Sequence, residues 1–216
     1  MPTAPVTARA PAAPRRKGQI TAARILDAAE ELFSERGYAG TTLRDVAERV
    51  GLRIPSLYNH FDSKDSLYAA VLERGIGPVR TVLSEYMEEG RDAYRDSARV
   101  VERIMALLEQ RPNLPRLVLH ETLSGGQRLT PMLREWIEPI FARAHEMVEA
   151  GPAAHRWEKE QIPLLVLAMY HVVVGHFTIA PFYRELSGED LIQKQALARQ
   201  TRFLRKLVAI LFAEEE

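Results

Sequence analysis

The sequence predicts an all-α protein in which a small three-helix module at the N-terminus leads into a larger helical body. Apolar residues recur at three- and four-residue spacing along most of the chain, the mark of amphipathic helices. No segment alternates apolar and polar residues convincingly with a period of two, so no strand is predicted. Glycine and proline punctuate the helical stretches at Gly37, Gly51, Gly90, Pro112, Gly125-Gly126, Gly151-Pro152 and Ser187-Gly188. The 216 residues suit one large domain or a small one joined to a larger one. With 46% hydrophobic and 27% charged residues, the composition excludes wholesale disorder and fibrous repeats. The absence of cysteine excludes disulfides, cysteine-ligated zinc, iron–sulfur clusters and thiol redox sensing.

The elements follow in order. Residues 1–18 hold four prolines, Arg9, Arg15, Arg16 and Lys17, and no acid, so they are expected to form a disordered basic arm. Charge follows rather than precedes the apolar residues there, the reverse of an export signal, and the expected location is cytoplasmic. Residues 19–74 form the first module. Ile25, Leu26, Ala29, Leu32 and Phe33 share one face of a helix over 20–36 that stops at Gly37. Thr42 opens a second helix with a capping box closed by Asp45, and Leu43, Val46, Ala47 and Val50 form its apolar side up to Gly51. A third begins at Ile54-Pro55 and runs to about Phe61, since proline is tolerated in a first turn. Asp62 or Ser63 caps a fourth, which starts near Lys64 and carries Leu67, Tyr68, Val71 and Leu72. In the larger body, residues 75–216, helices are expected near 79–89, 92–110, 113–124, 131–150, 157–180 and 190–213.

The second and third helices form a helix-turn-helix corner at about 41–60. Gly51 suits the left-handed turn, Ala47 allows close approach, and Val50 and Leu57 pack inside. Arg53, Ser56, Tyr58, Asn59 and His60 then carry polar ends available on the third helix, which is of a size to enter the DNA major groove. The basic arm gains a possible role beside such an element, reaching phosphates or a minor groove; its alternative is a plain solvated tail. Net charge is zero, from 29 basic and 29 acidic residues, so DNA affinity must come from placed contacts rather than bulk charge.

A longer pattern surrounds the corner: Ile25-Leu26-Asp27-Ala28-Ala29, Leu32-Phe33, Gly37-Tyr38, Thr41-Thr42, Asp45-Val46-Ala47, Gly51, Leu57-Tyr58-Asn59-His60-Phe61, Lys64 and Leu67. Over residues 20–70 this resembles the TetR family of bacterial transcriptional regulators. Arg53 departs from the small capping residue common in that family and places a guanine reader, or a phosphate contact, at the mouth of the recognition helix. Thr42 sits at a helix N-terminus, where its hydroxyl and free amides can meet phosphate. For Tyr58 the resemblance implies a phosphate contact, against a half-buried packing role. Lys64 is a point charge for phosphate. Ser56 and Asn59 are the candidates for base edges, and Arg44 for phosphate or a flanking base unless it is a plain surface charge. His60 either donates to phosphate or packs.

The resemblance also implies an effector-binding and dimerisation domain beyond residue 75. Leu197, Leu204 and Leu211 fall seven apart, with Leu207 and Val208 widening the stripe, so these five are the expected homodimer seam. Ile162–Phe182 lacks any Asp, Glu, Lys or Arg, but Pro163 and Pro181 are expected to bound a helix too short to cross a membrane. Paired copies of 162–180 and 190–211 would form a four-helix interface. A two-fold dimer of this kind calls for a near-palindromic DNA operator. The implied small-molecule pocket would draw on Met105, Leu108, His120, Trp136, Phe141, His145, Met169, Tyr170, His171 and Phe177, a lining suited to a hydrophobic or aromatic effector. The histidines show no metal-ligand spacing, and no cofactor is expected. Gly75-Ile76-Gly77-Pro78 is expected to interrupt the fourth helix as a hinge. Control by a protein partner is the alternative within the same fold. An enzyme is not expected: no nucleophile elbow, zinc-protease motif or phosphate loop occurs, and His120-Glu121 beside Ser124 is the only polar cluster of note.

Overall fold

A computed structural model describes residues 13–88, 97–150 and 154–212, with several side chains of the helix spanning 129–150 outside the description. Among the described residues there are helices and turns and no strand. The helices are α1 (Ala13–Arg36), α2 (Leu43–Val50), α3 (Ile54–Tyr58), α4 (Lys64–Glu88), α5 (Ser97–Gln110), α6 (Leu114–Leu123), α7 (Leu129–Ala150), α8 (Ile162–Ser187) and α9 (Lys194–Phe212). Two short 3-10 turns, Ala154–Arg156 and Lys159–Gln161, join α7 to α8.

Several expected boundaries move. α1 begins at Ala13, so only residues 1–12 of the expected arm lie outside the described residues. The expected break at Gly75–Pro78 does not occur. α4 runs unbroken through Pro78, because Ile76 and Val82 on either side are buried and the helix packs against α5 and α7. The 74/75 boundary therefore falls inside one helix. Likewise α8 continues through Pro181 to Ser187, so the argument that its prolines leave it too short to span a membrane fails. By length and composition alone Lys159–Ser187 meets that requirement. α8 also packs on α6 and α7, burying Ile162, Leu165, Phe177 and Ala180, and its last turns carry Arg184 and Glu185.

One apolar cluster spans both modules. It joins Ile25, Leu32 and Phe33 of α1, Leu57 of α3 and Leu67, Val71 and Leu72 of α4 to Met105, Leu117, Phe177 and Leu204 of the larger body. α1 packs on α2, α4 and α6, and α5 packs along α9. Leu197, Leu204 and Val208 are the inward face of α9. This corrects their assignment to a dimer seam: the heptad stripe is the protomer's own core, and Leu207 and Leu211 are only partly exposed.

Polar groups lock the same joint. Glu30, buried on α1, accepts from Arg74 of α4 at 2.7 Å and from Arg111 of the α5–α6 turn at 3.0 Å. Arg74 also reaches Asp27 at 2.7 Å. A buried carboxylate is tolerable only when so paired.

Gly75 shows how closely α4 and α6 approach. A Cβ at that position would lie 2.5 Å from Leu114 Cδ1, and Leu114 is itself buried. Gly75→Ala is expected to destabilise the protein by about 1–3 kcal/mol through this overpacking. In urea denaturation, Leu114→Ala in the same chain should recover part of that loss.

Candidate nucleic-acid interface

The helix-turn-helix corner is built by local chemistry. Thr42 is the N-cap of α2, with its hydroxyl oxygen accepting from the Asp45 amide at 3.2 Å. Asp45 Oδ2 in turn accepts from the Thr42 amide and hydroxyl, both at 2.7 Å. These hydrogen bonds hold the Asp45 carboxyl below the ordinary aspartate range. The Thr42 hydroxyl proton is thus committed to Asp45, which leaves its oxygen and the helix N-terminus rather than a free donor. At the other end Gly51 takes φ +70, the left-handed conformation that reverses the chain. The Leu52 amide closes the turn on the Ala47 carbonyl at 2.8 Å. Arg24 of α1 caps the Val50 carbonyl at 3.1 Å, and Arg49 pairs with Glu31 at 2.8 Å, so α2 is fixed on α1.

Leu57 is fully buried and anchors α3. Around it Arg53 and Asn59 are exposed, Ser56 and His60 are half-buried, and Tyr58 is 48% exposed. Arg53 is the N-cap residue of α3 and makes no capping hydrogen bond, so its guanidinium is not used by the cap. α3 ends at Tyr58 rather than near Phe61; the His60 and Phe61 amides still bond the Leu57 carbonyl, at 2.9 and 3.1 Å. Arg44 is exposed on α2. Tyr58 is therefore open to a partner rather than packed.

Lys64 sits differently from the isolated point charge expected. Its ammonium lies 4.0 Å from the centre of the Tyr38 ring, and the Arg128 guanidinium lies 3.5 Å from the same ring. Cation–π contacts of this kind contribute about 0.5–1 kcal/mol when exposed. Asp65 accepts from the Tyr38 hydroxyl at 2.8 Å and from Arg128 Nε at 3.1 Å. Burial, followed by repulsion from Arg128, holds the Lys64 ammonium below the usual lysine range. The phenol and guanidinium hydrogen bonds hold Asp65 below the usual aspartate range. Behind this group the buried Tyr68 donates to Glu121 Oε2 at 3.0 Å, its own pKa raised by burial and by that carboxylate. Glu121 Oε1 accepts from the Arg128 and Leu129 amides at 2.7 and 3.2 Å. Glu121 is thus a buried anchor for the start of α7, not part of a reactive surface cluster with His120 and Ser124. The Ser124 hydroxyl is spent on the His120 carbonyl at 2.8 Å, and His120 packs against Gly37.

Among the described residues, several of those expected to line an effector pocket are placed otherwise. Met105, Leu108 and Phe177 are buried in the common core, with Met169 packed against it. Their assignment as pocket lining is corrected to core packing. His171 is exposed on α8 beside Tyr170 and bonds the Leu167 carbonyl, so it does not face inward. His145 faces Glu149 at 3.4 Å. The Trp136 and Phe141 side chains lie outside the described residues. An open cleft of about 340 Å³, lined by Ala180, Pro181, Arg184, Glu185, Asp190 and Ile192, includes none of the ten.

Sequence reasoning assigned no role to Tyr38, Asp65 or Arg128. Tyr38 stood in the quoted motif, but Arg128 is 63 residues from Asp65 in a turn with no local signal. For the cap itself, Thr42→Ala should cost about 1 kcal/mol in chemical denaturation at neutral pH. The low Asp45 pKa gives stability that is present above the ordinary aspartate range and lost as pH falls through the folded value. The difference between wild type and Thr42→Ala should therefore shrink in acid.

Comparison with known proteins converges on this module. The family model described as "Bacterial regulatory proteins, tetR family" matches residues 25–71. The biofilm operon icaADBC HTH-type negative transcriptional regulator IcaR of Staphylococcus aureus (strain Newman) is 58% identical over 45 residues, 21% of this chain and 24% of that one. The chain thus spans about a quarter of the length of that relative. The HTH-type transcriptional activator FasR of Mycolicibacterium smegmatis is 25% identical over 156 residues, 71% of this chain and 69% of that one. In fold, the chain is similar to a TetR-like transcriptional regulator from Rhodococcus sp. RHA1, with a TM-score of 0.63 and 18% identity over 93% of this chain and 96% of that one. With its capping box, left-handed Gly51 and anchoring Leu57 standing where the motif requires them, residues 25–71 form a module of the kind found in the TetR family of bacterial regulatory proteins.

Proposed function

We propose that this chain is a cytoplasmic, dimeric DNA-binding repressor, released from a near-palindromic operator by a small hydrophobic or aromatic effector. The observation that carries DNA binding is the outward set Arg53, Tyr58 and Asn59, held on a short helix whose Leu57 is locked in the core. Arg53 and Asn59 suit base edges, with Ser56 beside them. Tyr58, Lys64, Arg44, His60 and the α2 N-terminus at Thr42 suit phosphates. Repression follows the strong local likeness to IcaR, a negative regulator; FasR, an activator, is the reason to measure the sign with a promoter reporter.

Selection of bound duplexes from random DNA should enrich a palindrome with half-sites about one helical turn or a multiple apart. Affinity should fall steeply with salt, and Lys64→Ala should reduce that slope by about one unit for each phosphate it leaves without a cation, with sequence preference unchanged. Enrichment of no sequence would reject the reading.

Dimerisation is supported by a face other than the expected leucine stripe. Leu164, Leu167, Ile179, Phe182 and Leu186 of α8 are exposed, as are Phe203 and Ile210 of α9. So many exposed large apolar side chains call for a partner, and two copies of α8 and α9 form a four-helix contact. Leu167→Glu with Ile179→Glu should yield monomers in sedimentation and lower operator affinity by more than tenfold. Dimers that persist with both charges present would place the contact elsewhere.

The effector reading now rests on Tyr170 of α8 and on the α7 positions Trp136 and Phe141, expected from the sequence. Because Met105, Leu108 and Phe177 are filled core, a second reading is favoured at those positions: control by a protein partner. Operator release by a member of a metabolite panel supports the first reading, and release only by a cellular protein supports the second.

A further inference from the structure

Asp65 poses an electrostatic problem for a DNA-binding surface. It stands in the first turn of α4, where a carboxylate favours the helix N-terminus. It is also the neighbour of Lys64, the expected phosphate contact. Left alone, an exposed carboxylate there would repel phosphate and compete with it for the lysine. Arg128 meets this carboxylate from the α6–α7 turn, with Nε at 3.1 Å from Oδ1, and its guanidinium also covers the Tyr38 ring on which the Lys64 ammonium rests. Arg128 is held at its backbone as well, since its amide donates to the buried Glu121, which accepts from Tyr68 of α4. Its side chain and main chain are thus both tied to the module that carries Lys64.

We propose that Arg128 is a positioning residue for DNA binding: by neutralising Asp65 it leaves the Lys64 ammonium, held on the Tyr38 ring, available to a backbone phosphate. The inference rests on the DNA-binding reading above. It extends the interface to a residue of the larger body that does not itself touch DNA. Withdrawal of the α6–α7 turn would hand Lys64 to Asp65 and weaken DNA binding without any change in α3.

The test uses the full chain and a duplex that the wild-type protein has enriched from random DNA, with affinity measured by fluorescence anisotropy across salt concentrations. Arg128→Gln should weaken binding roughly fivefold or more, the scale of one uncompensated surface charge. Asp65→Asn in the same chain should restore it, because the asparagine still accepts from Tyr38 without the charge. Arg128→Lys should retain most of the affinity. In a Lys64→Ala background Arg128→Gln should add a smaller loss than it does in the wild type, a coupling that a purely structural role would not give. Thermal unfolding of each variant accompanies the titration. A folded Arg128→Gln protein that binds as tightly as wild type, or whose loss persists with Asp65→Asn, overturns the proposal. If Arg128→Gln alone does not fold, the chain with both Asp65→Asn and Arg128→Gln decides: binding close to wild type supports the proposal, and a loss of fivefold or more overturns it. Failure of the wild type to enrich any duplex rejects the DNA reading, and is distinct from failure of Arg128 to matter.

Discussion

Two modules share one helix, and the rest of the structure depends on that helix remaining whole. The first turn of α4 holds Lys64 and Asp65, its middle buries Leu67, Tyr68, Val71 and Leu72, and its distal half lies against α5 and α7. Pro78 lies inside it, and a proline in a helix interior costs about 3 kcal/mol or more. Burying Ile76 and Val82 returns about 1.5–3 kcal/mol each, so packing on either side matches or exceeds the penalty. A displacement at one end of α4 must therefore be felt at the other.

Polar contacts make the joint specific as well as tight. Glu30 with Arg74 and Arg111, and Glu121 with Tyr68 and the first amides of α7, place a partnered carboxylate on either side of α4. Apolar packing alone is indifferent to small rotations of a helix; these groups are not, because a shift of an ångström would strand a buried charge. The DNA-facing corner is thus held at a defined angle to the larger body.

With a net charge of zero, the charge balance is a matter of placement. Three acidic residues near the corner are occupied: Asp45 by the α2 cap, Asp65 by Tyr38 and Arg128, and Glu31 by Arg49. The outward α3 set carries no such carboxylate between Arg53 and His60.

The three-helix module was legible in residues 20–70 because each of its signals is local. A cap and its partner lie three residues apart, a glycine reverses the chain where it stands, and an apolar stripe follows the helical period. The same local reasoning placed breaks at Pro78 and Pro181 and a dimer seam along Leu197, Leu204 and Val208. In each case tertiary packing decided otherwise: α5 claimed the leucine stripe, and burial carried α4 and α8 through their prolines. Periodicity tells which face of a helix is apolar, but not whether its own chain or a second copy covers that face. The pairing of Arg128 with Asp65 had no signature in the sequence at all, since residues 63 apart meet only when the fold brings them together.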